Sequence, residues 1–165
     1  MLRFKHIVIA LLIPVASLGQ ESILRFNKGN SAYMAGDFER ALSMYDSSLS
    51  LAPNQPSVTY NKGNAALMSG DAASAISHYQ EVIESEANDD LKQKSFHNMG
   101  NAFYESEKFK ESAEAFKNAL RLNPDDEDTR YNLSQALRKI REQEQQQKKQ
   151  DQNKEKKDQN KDQKE

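Results

Sequence analysis

The chain has 165 residues, 23 basic and 25 acidic, with no cysteine and no tryptophan, which excludes disulfides, thiolate metal sites, a cysteine nucleophile and a lipid anchor on cysteine. Its charge is uneven: residues 1–19 carry only Arg3 and Lys5, residues 20–141 are net −4, and residues 142–165 hold seven charges of each sign. A folded part with net −4 lacks the basic face that nucleic-acid binding needs, so nucleic acid is not expected as a partner.

Met1–His6 is short and basic, Ile7–Val15 is apolar apart from Pro14, and Ala16-Ser17-Leu18-Gly19 ends in small residues. This is the layout of a secretory signal peptide over residues 1–19, with cleavage expected after Gly19. The apolar stretch of 12 residues, Ile7 to Leu18, falls short of the roughly 20 a spanning helix needs, so a retained anchor is the weaker alternative. Export places the protein in the periplasm of a bacterium, in association with the inner membrane if the signal is retained.

The middle of the chain repeats. Asn27-Lys28-Gly29-Asn30 recurs as Asn61-Lys62-Gly63-Asn64 at an offset of 34, which also carries Gly36-Asp37 onto Gly70-Asp71, Ala41 onto Ala75 and Tyr45 onto Tyr79. A third copy, Asn98-Met99-Gly100-Asn101, follows after 37 residues, with the extra residues near Asp89–Leu91. Each unit (about 22–55, 56–89 and 93–126) reads as a helix, a tight turn and a second helix. Gly36-Asp37 and Gly70-Asp71 are turn residues, with Asp capping the next helix; the third turn has Glu107-Lys108 and must close without glycine. Gly29, Gly63 and Gly100 lie inside first helices, where glycine costs about 1 kcal/mol relative to alanine. That predicts a close helix–helix contact, with the small Ala41, Ala75 and Ser112 opposite. Pro53 and Pro124 end the second helices of units one and three.

Asp125–Asp128 suits a helix N-terminus, and Tyr131, Leu133, Leu137 and Ile140 form an apolar stripe, so residues 127–141 read as a capping helix. Residues 142–165 contain ten Gln and Asn among their charges and nothing apolar. They are expected to be a disordered polar tail, helical at most for a few turns after Ile140, and to serve as a solubilising spacer or a tether.

Catalytic and metal-ligating patterns are missing from the sequence. His6, His78 and His97 stand at no metal spacing, and Glu84/Glu86, Asp89/Asp90 and Asp125/Asp126 fall at helix ends or in loops, where they read as caps and solvated charge. His78 reads as core filling. The expectation is a non-enzymatic chain without a cofactor, metal or small-molecule substrate.

The 34-residue period, the early glycine, the small-x3-aromatic signature and the closing proline resemble the tetratricopeptide repeat over residues 22 to about 126. The resemblance implies an all-α, right-handed α-solenoid of three helical hairpins plus the cap, with first helices lining a concave, partner-binding surface. Arg25, Thr59 and Phe96, and Lys28, Lys62 and Met99, depart from the family's usual residues at two positions. Carried over by alignment, the groove positions are Phe26, Asn27, Asn30 and Tyr33 in the first tier, Tyr60, Asn61 and Asn64 in the second, and Lys94, His97, Asn98, Asn101 and Tyr104 in the third. An amide side chain can donate and accept together, which suits an extended peptide backbone; the same asparagines could instead satisfy neighbouring helices. Asn30, Asn61 and Lys94 fit the subclass that clamps a C-terminal carboxylate, but Phe26 and Asn98 stand where it has cations, which argues against a chaperone-tail clamp.

The signal, the Asn-Lys-Gly-Asn repeats, Asp128–Leu133 leading the cap and the Gln/Lys/Asp tail are together similar to the tetratricopeptide component of bacterial aerotolerance (Bat) operons. That resemblance implies membrane-bound partners with von Willebrand factor A domains and a role in stress tolerance. The reading is therefore an exported adaptor, with a periplasmic holdase for unfolded chains as the alternative. So short an array gains burial by dimerising or by docking, and the sequence does not decide between them.

Overall fold

A computed structural model describes residues 15–162, so the expected signal lies outside the described residues except for its last five. Among the described residues seven helices follow one another: α1 Val15–Met34, α2 Phe38–Leu51, α3 Pro56–Met68, α4 Ala72–Glu84, α5 Asp89–Glu105, α6 Phe109–Leu122 and α7 Glu127–Asp162. They form three hairpins, α1/α2, α3/α4 and α5/α6, with α7 packed on the last. None of the described helices is long and apolar enough to cross a membrane.

The hairpin turns share one construction. Gly36, Gly70 and Glu107 take positive φ values of 76°, 87° and 58°. In each turn the next amide (Asp37, Asp71, Lys108) reaches back to a carbonyl inside the preceding helix (Ala32, Ala66, Phe103) at 2.9–3.0 Å, which satisfies end groups that the helix leaves orphaned. Asp37 and Asp71 then cap the following helix through the amides of Arg40 and Ser74. Lys108 has no side chain able to do so. The third turn is the same turn built from worse residues: a left-handed glutamate and an uncapped helix start.

The in-helix glycines answer to an aromatic ring. A Cβ on Gly29, Gly63 or Gly100 would lie 2.5, 2.7 or 2.6 Å from the ring of Tyr45, Tyr79 or Phe116. The expected pressure on these positions is therefore real, but it comes from the aromatic one turn beyond Ala41, Ala75 and Ser112, each ring lying against helix backbone. These three rings are fully buried and centre the three core clusters.

Two expectations change at the C-terminal end. The face that α7 turns inward is Thr129, Leu133, Ala136 and Ile140, a 3.6-residue stripe, while Tyr131 and Leu137 are exposed. The two sets share Leu133 and Ile140; small Thr129 and Ala136 escaped an apolar count. The polar tail, expected to be disordered beyond a few helical turns after Ile140, continues α7 as helix to Asp162. Its Glu, Lys and Gln are good helix formers with no Pro or Gly among them. Pairs one turn apart, Arg138–Glu142 and Gln147–Asp151, run along the exposed surface.

Candidate partner-binding face

The first helices of the units, α1, α3 and α5, lie side by side with α7 continuing the row, and what joins them is a ladder of asparagines. Asn30 Oδ1 accepts from the Tyr45 hydroxyl at 2.8 Å and from Asn61 Nδ2 at 2.9 Å. Asn64 Oδ1 repeats this with Tyr79 at 2.8 Å and Asn98 Nδ2 at 2.9 Å. Asn98 Nδ2 also reaches the Tyr60 hydroxyl at 3.0 Å. Asn101 Oδ1 accepts from Asn132 Nδ2 at 3.1 Å, but the tyrosine that completes the other rungs is here Phe116. Burial pushes the Tyr45 hydroxyl up to about 12 and raises Tyr79 further, so both stay protonated donors.

The first two rungs thus pair an asparagine just after a glycine with one two residues before the next glycine, across neighbouring units; in the third, Ser134 stands where that next glycine would be. Five of the six asparagines named from the sequence are rung members. Asn27 belongs to the first unit, has no preceding unit to pair with, and is exposed. The second reading of the asparagines, satisfaction of neighbouring helices, describes the bonds they make; their remaining amide valences stay at the half-buried inner face.

The other named residues divide by surroundings. Phe26 and Tyr60 tilt against Tyr45 and Tyr79 at 6.0 and 5.9 Å, and Tyr33 and Tyr104 stand edge-on to Phe38 and Phe109 at 5.6 and 5.1 Å. Lys94 is exposed and bonds Asp90 one turn away at 2.7 Å, which raises its pKa. His97 is half-buried against Phe116 and lies 2.6 Å from Thr129 Oγ1. That hydroxyl donates to Asp126 Oδ2 at 2.6 Å, as does Gln93 Nε2 at 2.6 Å. The Thr129 proton is thereby committed, so His97 Nδ1 is the donor to Thr129 Oγ1. Burial lowers the His97 pKa. Burial opposes ionisation of Asp126, but hydrogen bonds from Thr129 and Gln93 outweigh it and lower its pKa. His97 thus fastens the cap to the third unit.

A pocket of about 390 Å³ opens at the third rung, lined by Met68, Asn101, Tyr104, Phe116, Asn132 and Gln135 among others. Its position follows from the incomplete rung: without a tyrosine hydroxyl, Asn101 Oδ1 keeps an acceptor position on the pocket wall. Asn132 and Gln135 were missed because they lie on the cap; the 34-residue step from Asn98 to Asn132 was the available signal. Among the described residues no cluster of three or more His, Cys, Asp or Glu side chains could hold a metal ion.

Residues 26–90 match the family profile described as Tetratricopeptide repeat, and residues 100–140 one described as TPR repeat. No curated protein matches the chain. Among solved structures, the Arabidopsis OM64 TPR domain is 20% identical with a TM-score of 0.68, covering 73% of this chain and 98% of its own. The N-terminal domain of stress-induced protein-1 (STI-1) from C. elegans is 22% identical, with a TM-score of 0.67 over 73% of this chain and 98% of its own. The second TPR domain of human RPAP3, solved in complex with the HSP70 peptide SGPTIEEVD, is 20% identical with a TM-score of 0.64, over 75% and 98%. With its three glycine-centred hairpins, the chain belongs to the tetratricopeptide-repeat family.

Proposed function

We propose that this chain is an exported, non-catalytic scaffold whose inner face holds a segment of a partner protein, in a membrane-associated stress-tolerance assembly of the aerotolerance (Bat) type. The observation that carries the reading is the third rung. There the amides of Asn101, Asn132 and Gln135 and the apolar surfaces of Met68 and Tyr104 meet around one pocket, the mixture that anchors a side chain and its adjoining peptide group. The peptide-bound RPAP3 domain supports protein segments as the ligand class. The partners proposed are membrane-bound proteins with von Willebrand factor A domains. A holdase is the second reading, favoured by Met34 and Met68, which are 84% and 57% exposed on first helices and are adaptable apolar contacts.

The test uses Met68→Asp, which alters the pocket and leaves the ladder intact; changing Asn30, Asn61 or Asn98 would weaken the stack itself. The full chain is used to capture proteins from detergent-solubilised membranes of the source cells. The adaptor reading expects one or two membrane proteins with von Willebrand factor A domains, lost with the variant. A diffuse set of unfolded proteins in place of one or two membrane proteins, reduced but not abolished by the variant because Met34 remains, would replace it with the holdase.

A further inference from the structure

The opposite side of the stack carries a second concavity, and the repeat supplies its own control. The second helices of neighbouring units, α2 and α4 or α4 and α6, do not pack directly on each other. Between α2 and α4 polar side chains occupy the junction: Lys62 Nζ bridges to Asp46 at 2.6 Å, and half-buried His78 feels both charges. Advancing each residue by one unit gives Gln80, Met99 and Ala115. The bridge is lost and the imidazole becomes a methyl group. What results between α4 and α6 is a cleft of about 1250 Å³ with Ile76, Met99, Phe103 and Ala115 in its lining.

The walls of this cleft have one sign of charge. Glu81 and Glu84 come from α4, Glu86 from the following turn, and Glu111 and Glu114 from α6, with no lysine or arginine in the lining. Glu114 meets Lys117 and Arg121 along its own helix at 3.4 and 3.8 Å. The other four form no ion pair among the described residues, though Glu84 accepts from Gln80 at 2.7 Å.

We propose that this outer cleft is a second docking surface, which takes a cationic amphipathic segment of a partner protein. Carboxylates on both walls of an apolar floor require an apolar stripe bordered on both sides by Lys or Arg, the pattern of a basic amphipathic helix. The volume is more than one side chain fills and matches a short run of them. The surface is independent of the inner-face reading: it shares no lining residue with the inner pocket, so two partners can be held at once.

The probe is a synthetic amphipathic helix with a leucine stripe bordered by lysines, added to the full chain carrying ¹³C-methyl methionine. Its counterpart has glutamate for every lysine. Met99 lines the outer cleft and Met68 the inner pocket, so the two methyl signals report the two surfaces separately. The lysine peptide is expected to shift Met99 and leave Met68 in place, with binding that weakens as salt rises. Ala115→His, which restores the residue of the first junction, should weaken binding at least tenfold. Glu81→Gln with Glu111→Gln, two exposed changes that spare the core, should weaken it about tenfold. A shift at Met68 alone, equal binding of the glutamate peptide, or affinity unchanged by both variants would overturn the proposal.

Discussion

The inner and outer faces of this stack are built from the same repeats and differ in what those repeats are allowed to change. On the inner face the junction is a pair of amides, Asn30–Asn61, Asn64–Asn98 and Asn101–Asn132, kept three times over. On the outer face Asp46, Lys62 and His78 give way to Gln80, Met99 and Ala115 one unit later. Register between units is therefore held on one side. The other side is free to become a charged plug at one junction and an apolar cleft at the next. A repeat that buries its faces only against neighbours must keep one junction constant, and here it is the polar one.

The sharpest way to break this comparison is at the middle rung. Asn64→Ala removes the acceptor shared by Tyr79 and Asn98, and Tyr79 is fully buried. A buried hydroxyl without a partner costs about 1–3 kcal/mol, and the inter-unit bond adds to that. A loss of about 3 kcal/mol is expected by urea denaturation, against less than about 0.5 kcal/mol for Asn27→Ala, which has no preceding unit. Equal small effects would mean that the ladder does not hold the units together.

Next in size is the third hairpin turn. Glu107→Gly with Lys108→Asp gives it the glycine and cap of the other two turns. Removing a left-handed glutamate and adding a capping carboxylate should together stabilise by about 2 kcal/mol, read as a raised denaturation midpoint at constant slope. Phe116→Tyr completes the third rung and should add about 1 kcal/mol. It also occupies the spare acceptor of Asn101, so stability gained and capture from membranes lost should appear in the same variant.

How much of this the sequence discloses depends on the number of helices a feature needs. The three hairpins, their turns and the caps at Asp37 and Asp71 need one or two adjacent helices, and the 34-residue period displays them. The paired asparagines are visible as a pattern, but their partners sit 31 or 34 residues away, so their shared Oδ1 acceptors appear only once α1, α3 and α5 stand side by side. Thr129 and Ala136 were passed over because their burial comes from the position of α7 on α6, which their own hydrophobicity does not announce. The tail was read by its lack of anything to bury, whereas its helix needs only local propensity and pairs one turn apart. The outer cleft is hardest, since it depends on lining residues from α3, α4, α5 and α6 together. Its trace is three substitutions between units, and those count only when it is known that they meet.

The smallest expected effect tests the histidines, one on each face. His78 and His97 both have pKa values lowered from 6.5, each chiefly by burial, so the folded chain holds them neutral while the unfolded chain protonates near 6.5. The unfolded state then binds more protons, and stability falls as pH drops below about 6.5 toward the folded values, by at most about 1.4 kcal/mol per pH unit for each histidine. Asp71 and Asp126 are lowered from 3.8, so their stabilisation is present above 3.8 and is lost only at more acid pH, outside the histidine window. Denaturation midpoints should be level above pH 7 and decline from about 6.5. His78→Ala makes the first outer junction resemble the second and should remove one part of that decline; His97→Gln, at the link to the cap, should remove the other. If neither variant flattens the curve, the two imidazoles are as accessible to protons in the folded chain as in the unfolded one. The plugged first junction would then be as open to water as the cleft beside it.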